Sequence, residues 1–306
     1  TSGNFGLYLV GATVVSQTSS ASFVGSALDQ TTGSRNYGAM VVNSDFTAAT
    51  SFSAIGRAGG GVSGNSGMTI RGGSITAETT LDLFGSGRSW ATGRGNYGVN
   101  LQGTDLSSEG DIDINSIGGG GTHGNFATQL RRVELTSTSG RVDVAGQGID
   151  ETTGNGNFGV RIIASTIEAA NILVDGEASN GANRNFGTYV SGGSMNSTNG
   201  FLVVLGAGNG LSSGFGNYGT LVRNVTLAAL GDSMQVTGSG GGGISNNLGA
   251  RADGGSFSSD VGSAIVRGSA IAGTTGSGNY GLRVGGAKVS AGTNLEFSGT
   301  GGGGRN

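Results

Sequence analysis

Residues 157–176 read NFGVRIIASTIEAANILVDG, and the spacing of the apolar side chains in this stretch decides the fold class. Ile162 stands three positions after Gly159, and Ile167 stands eight positions after it. An apolar-x-apolar-x-small segment, 172–176, follows. Alternation with a period of two residues is typical of β-strands that bury one face. The stretch therefore predicts about three short strands joined by turns.

The tripeptide Asn-aromatic-Gly that opens this stretch recurs along the chain, with the same apolar positions after each copy. The copies, full or degenerate, are 28 to 32 residues apart, and long and short units alternate. One such unit cannot bury its apolar face alone, whereas stacked units build a continuous core. The copies begin at Asn4, Asn36, Asn65, Asn96, Asn125, Asn157, Asn185, Asn217, Asn247 and Asn279.

These observations predict an all-β fold, a right-handed parallel β-helix (β-solenoid) that spans residues 1–306 as a single domain. It should contain about ten coils of about 30 residues, alternately long and short. Each strand should pair in parallel with the same strand of the next coil. The pattern runs from Asn4 to Asn306 without fading, so we expect either a slice of a longer array or a unit that polymerises head to tail.

The composition excludes several classes of function. The 306 residues include 67 glycines, no proline, no cysteine and one histidine, His123. Without cysteine there is no disulfide scaffold and no thiolate metal site, and a single histidine argues against a histidine metal cluster or a Ser-His-Asp triad. The net charge of −3 argues against nucleic-acid binding through bulk charge. We expect no cofactor, no nucleic-acid partner, no membrane insertion and no enzymatic activity.

The Asn-aromatic-Gly repeat and its apolar columns resemble the right-handed β-helix repeat proteins of bacterial surfaces. The closest groups are filamentous-haemagglutinin-like adhesins, autotransporter passengers and giant β-strand-repeat surface proteins. The resemblance covers the chain from Asn4 to Asn306. It implies secretion, an extracellular or cell-surface location, and an adhesive or fibre-forming role. It transfers no functional residue to this chain.

The asparagine column itself is predicted to be a structural ladder. Asparagine tolerates left-handed backbone angles at a corner, and its amide can bond to the copies above and below. The aromatic residues beside it should stack along the axis about 4.8 Å apart.

The alternation of long and short units suggests a first candidate interface. Short units carry glycine-rich stretches at 59–61, 118–121, 240–243 and 301–304. The apolar residues of the long units could form a ridge that receives a neighbouring rod, or the long loops could fold back over the glycines and bury them. Those apolar residues are Leu28, Trp90, Ile149, Leu211 and Ile271.

An acidic ladder on the outward face of the third strand is the second candidate. Asp82, Asp113 and Asp143 should lie about 5 Å apart, where like charges repel. A cation such as Ca²⁺ could neutralise them, and paired carboxylates could catalyse polysaccharide cleavage. The alternative is a solvated ladder with partners such as Arg131, Arg132 or Arg141.

Outward apolar positions on that strand are the third candidate. Such positions mark interaction surfaces when they are exposed, and a covering loop is the alternative. They are Val24, Ile55 and Phe84 in the first three units, and Leu173, Val203 and Leu205 in units six and seven.

Three functions remain open on the sequence. The leading hypothesis is a structural extracellular protein that forms a fibre, sheath or adhesin stalk with other copies of itself, head to tail and laterally. The alternative is an adhesin that binds glycans or partner proteins, on a host or neighbouring cell, through one solenoid face. The third is a polysaccharide lyase or hydrolase that uses the acidic ladder.

Overall fold

The computed structural model describes residues 3–28, 33–150, 152–272 and 274–303. These residues form 26 β-strands and no helix, arranged as stacked parallel coils. The predicted all-β parallel solenoid of about ten coils is therefore confirmed. Among the described residues no helix is long and apolar enough to cross a membrane. We number the coils from the tripeptide asparagine that opens each of them.

Each coil has a first, a second and a third strand segment. The first segment lies in β1 Phe5–Val10, β4 Tyr37–Ala48, β6 Ser66–Ala77, β8 Tyr97–Gln102, β11 Phe126–Arg131, β14 Phe158–Ala169, β16 Phe186–Ser197, β18 Tyr218–Arg223, β21 Ala250–Asp253 and β24 Leu282–Gly285. The second lies at the ends of β4, β6, β14 and β16, and in β2 Thr13–Ser16, β9 Asp105–Ser108, β12 Glu134–Ser137, β19 Thr226–Ala229, β22 Ser256–Ser259 and β25 Lys288–Ala291. The third lies in β3 Ala21–Ser26, β5 Phe52–Arg57, β7 Leu81–Ser86, β10 Ile112–Ile117, β13 Arg141–Gln147, β15 Asn171–Glu177, β17 Leu202–Ala207, β20 Met234–Ser239, β23 Ala264–Ser269 and β26 Leu295–Thr300.

Every strand pairs with its equivalent in the next coil. Phe158 pairs with Phe186 in the sheet of first and second segments, and Ile172 pairs with Leu202 in the sheet of third segments. The ladder asparagines that bond to each other are 32, 29, 31, 29, 32, 28, 32, 30 and 32 residues apart. The predicted alternation of long and short coils is thereby confirmed.

A left-handed residue turns the chain between the first and second strand segments. Arg132, Ala164 and Asn224 take this position with φ of 54°, 48° and 48°. Glycine takes it in other coils, for example Gly103 with φ of 57°. The ladder asparagines do not have positive φ; the left-handed residue there is the one before, such as Gly156 with φ of 70°. The residue before the ladder asparagine, and not the asparagine itself, therefore adopts the left-handed conformation. The side-chain amide of the asparagine is turned inward, where it forms hydrogen bonds along the axis.

The core consists of the inward columns of all three segments. Ile162, Ile167 and Ile172 of coil 6 are each fully buried, and their equivalents in neighbouring coils stack above and below them. Where the first and third strands meet, the inward residues are glycines, except Ser116 and Ala127. A Cβ placed on Gly85 would lie 2.3 Å from the carbonyl oxygen of Gly98. The two backbones therefore touch, and their outer side chains project from opposite sides of the stack.

Candidate functional site

The ten asparagines form one continuous ladder through the interior of a turn. The Asn125 side-chain amide donates to Oδ1 of Asn157 at 3.1 Å, and Asn157 donates in the same way to Asn185 at 3.0 Å. The backbone N–H of Asn157 also donates to Oδ1 of Asn185, at 3.1 Å. Asn157 and Asn185 are fully buried. The ladder thus satisfies buried polar groups along the axis and leaves none of these amides for a ligand.

The aromatic column beside the ladder stacks on itself. The ring centroids of Tyr97, Phe126, Phe158 and Phe186 are 5.1, 5.0 and 4.9 Å apart, with interplanar angles of 10° or less. Ser66 interrupts the column in coil 3. Burial raises the pKa of Tyr97, although nearby arginines act in the opposite direction. Because each ring covers the face of the next, these rings offer edges to solvent.

Arginines collect on the outer face of the first strands, a grouping that the sequence analysis missed. The signal was present in the sequence as arginines two or four residues after the last position of the tripeptide, in columns that no single unit reveals. We call these residues the arginine face: Arg71, Arg131, Arg161, Arg223, Arg251 and Arg283.

Two members of the arginine face have partners. The Arg161 guanidinium lies 5.3 Å from the ring centre of Phe158 and 5.4 Å from that of Phe126. It also donates to Oε1 of Gln129 at 3.1 Å, and burial lowers its pKa. Arg251 pairs with Asp253 at 2.6 Å, and this hydrogen bond raises the pKa of Arg251.

The acidic ladder is in register on the third strands. Asp113 pairs with Asp82 on one side and Asp143 on the other. The Arg141 guanidinium lies 3.3 Å from Asp143 and 3.6 Å from Asp113. Burial raises the pKa of Asp143 although Arg141 acts to lower it, and burial followed by repulsion from Asp113 raises the pKa of Asp82.

Of the three arginines expected beside this ladder, only Arg141 takes that position. Arg131 ends a first strand and Arg132 occupies the following corner, because the chain turns between the strand segments before it reaches the ladder. The described residues hold no group of three His, Cys, Asp or Glu side chains able to bind a metal ion. The described residues thus show no arrangement that supports a cation at Asp82, Asp113 and Asp143.

The apolar outward positions form the columns expected of them. Val24, Ile55 and Phe84 are consecutive partners, and Leu173 pairs with Val203 while Leu205 lies two residues further. Val24 is 59% exposed, and the other five are half-buried. A cleft of about 430 Å³ lies on the same face, and Phe84 is the one of these six residues that lines it, with Asn115, Ala145, Gln147, Asp175 and Glu177. Burial raises the pKa of Asp175.

The apolar residues of the long loops divide into two groups. Leu28, Trp90 and Leu211 are 79%, 54% and 75% exposed, whereas Ile149 and Ile271 are half-buried. A Cβ placed on Gly210 would meet the side chain of Ile271 at 3.5 Å. The Arg88 guanidinium lies 5.2 Å from the Trp90 ring. Three of the five apolar side chains are therefore exposed, as the side chains of a surface ridge would be.

The glycine-rich stretches 59–61, 118–121 and 240–243 are buried or half-buried, covered by backbone instead of apolar side chains, whereas Gly301 and Gly303 are exposed. A Cβ placed on Gly120 would lie 1.8 Å from the Ser89 carbonyl oxygen in the preceding long loop. Residues 118–121 are all buried. The backbone of the long loops thus covers these glycines, and three apolar side chains of the loops remain exposed. Gly304 and Asn306 lie outside the described residues.

No family model matches this chain, and no curated protein matches it either. Its function must therefore be argued from the surfaces described above: the arginine face, the acidic ladder, the cleft on the third strands and the ridge of the long loops.

Proposed function

We propose that this chain is a structural extracellular protein whose solenoid forms the rod of a fibre, sheath or adhesin stalk on a bacterial surface. The observation that carries the proposal is the unbroken pairing of both sheets along the axis, from β1 to β24 and from β3 to β26. The buried asparagine ladder runs the same way. Because these bonds lie along the axis and repeat in each coil, the stack resists stretching and bending.

We propose that the rods of the fibre meet head to tail. The parallel pairing of both sheets is the same from coil to coil, so a coil of a second copy stacked in register would continue both sheets. Such head-to-tail stacking is the axial contact of the proposed fibre.

Electron microscopy and fibre diffraction of the purified protein test this function. We expect filaments much longer than one chain, with an axial reflection near about 4.8 Å. The alternation of long and short coils should add a weaker reflection at about twice that spacing. Isolated rods of one chain length, at every concentration and salt condition tried, would contradict the proposal.

The cleft on the third strands supports a second candidate, an adhesin that binds glycans. It combines an aromatic ring, two amides and two carboxylates on a surface that runs across several coils. Glycan-array binding should fall about tenfold or more in Phe84→Ala and Asp175→Asn. Thr237→Ala, in the same column but outside the cleft, is the matched control. Equal binding by all these variants would remove the cleft as the site.

A further inference from the structure

The two broad faces of the rod carry opposite charges. The first and third strands touch through inward glycines, as at Gly85 and Gly98, so their outer side chains lie on opposite sides. The outward positions of the described first strands hold six arginines and one carboxylate, Asp253, which Arg251 neutralises. The outward positions of the third strands in coils 3 to 6 hold five carboxylates and one base, Arg141, among neutral residues.

We call the acidic side the carboxylate face. Its members are Asp82, Asp113, Asp143, Asp175 and Glu177.

The charges on the two faces are largely unpaired. The guanidinium groups of Arg71, Arg131 and Arg223 are exposed, and within the described part of the chain they make no hydrogen bond and no ion pair. On the other side, Asp175 and Glu177 likewise have no ion-pair partner among the described residues. Exposed like charges at this density repel each other, so each face is stabilised when a surface of opposite charge approaches.

We propose that a second copy of this chain docks its carboxylate face on the arginine face. Neighbouring rods then lie side by side, with the arginine face of one rod against the carboxylate face of the next. The inference deepens the proposed structural function and rests on it. Over coils 3 to 6 the carboxylates recur in every coil, and Arg71, Arg131 and Arg161 lie on the opposite face at multiples of the same coil spacing, about 4.8 Å. Opposite charges can therefore match along the contact. The contact joins two different surfaces, and such heterologous contacts add subunits without closing. The product is a layer of aligned rods.

The structure favours a second rod over a nucleic acid as the partner. Nucleic-acid binding to a single-stranded site uses aromatic faces on which bases stack. The rings beside the arginine face have no free face on which a base could stack. The ring centroids of Phe126 and Phe158 lie 5.0 Å apart, and the two rings cover each other. The matching charge period is found on the rod itself.

Two charge-reversed variants test the contact. One replaces three exposed arginines (Arg71→Glu, Arg131→Glu, Arg223→Glu), and the other replaces three carboxylates that form no ion pair (Asp82→Lys, Asp175→Lys, Glu177→Lys). Each variant alone has two faces of the same sign. We expect the concentration at half-association, measured by light scattering and sedimentation in low salt, to rise at least about tenfold for each. An equimolar mixture should associate again, because each contact then joins opposite charges.

Controls separate this contact from net charge and from the axial contact. Asp105→Lys, Glu134→Lys and Glu168→Lys together change the net charge as the second variant does, on the second-strand surface, and should leave association unchanged. About 0.5 M salt should weaken association of the native protein. Variants that associate like the native protein, or a mixture that stays dissociated while circular dichroism shows folded chains, would overturn the proposal. Single unbundled filaments in the microscope would refute lateral docking and leave the structural function standing.

Discussion

At the scale of single residues, stability depends on polar groups that are buried and fully paired. Each ladder asparagine is both donor and acceptor for its neighbours, so the loss of one side chain leaves groups unpaired in two coils. Charged residues act differently: Asp82, Asp143 and Asp175 are partly buried, and this burial raises their pKa values. The two kinds of residue lead to two predictions.

Asn157→Ala should lower the free energy of unfolding by about 2 to 4 kcal/mol, because it leaves the buried amide of Asn125 without its acceptor. Urea unfolding followed by circular dichroism measures the change. Asn115→Ala, at an exposed position, should change it by less than about 0.5 kcal/mol. Equal effects of the two substitutions would show that the ladder does not stabilise the fold.

Asp82→Asn should raise the thermal midpoint at neutral pH. Burial and the nearby carboxylates raise the pKa of Asp82 in the folded state. The folded state thus binds the proton more readily than the unfolded chain. Stability from this group therefore grows as pH falls through the folded pKa and is complete below the unfolded value, about 3.9. The advantage of Asp82→Asn should shrink as pH falls and vanish below about pH 3, where both states hold the proton. Asp105→Asn is the control, and an advantage that persists in acid would contradict this account.

At the scale of the elements, the close approach of first and third strands determines the shape of each coil. Glycine is found there in all coils except at Ser116 and Ala127, because backbone atoms of the opposite strand occupy the place of a side chain. A loop glycine near the same strand meets no such restriction. Only packing distinguishes a glycine between the strands from a loop glycine, because in the sequence each is one glycine among many.

Gly98→Ala should destabilise the protein by more than about 3 kcal/mol, because its Cβ would lie 2.5 Å from the Ile117 carbonyl oxygen and 2.8 Å from that of Ala127. Gly118→Ala is the matched control, since its nearest neighbour is 3.5 Å away and its φ is not positive. Chemical denaturation compares the two. A Gly98→Ala variant as stable as Gly118→Ala would show that the strands can separate at little cost.

At the scale of the whole molecule, each coil contacts mainly the coils next to it. Stability in such a stack is a sum over neighbouring units, so damage should remain local. The same arrangement places charges of one kind on one side over many coils, and so gives the rod its two different faces.

Leu130→Ala should increase amide hydrogen exchange in coils 4 to 6 and leave distant coils protected. Leu130 is fully buried and pairs with Leu101 and Ile162, so its truncation leaves a cavity that costs about 2 to 5 kcal/mol. Exchange measured by mass spectrometry maps the loss. Val24→Ala, at an exposed position, is the control. Uniform loss of protection over the chain would indicate a single cooperative unit instead.

The amino-acid sequence by itself determined the strands, the coil length and the register, because the same apolar pattern repeats every coil and period-two alternation has one structural meaning. It also placed Asp82, Asp113 and Asp143 in one column. The tertiary structure alone decided which columns lie on opposite sides, which loop residues are exposed, and that arginines from separate columns share one face. These properties depend on how strands far apart in the chain pack across the coil, and a repeat pattern does not record that packing.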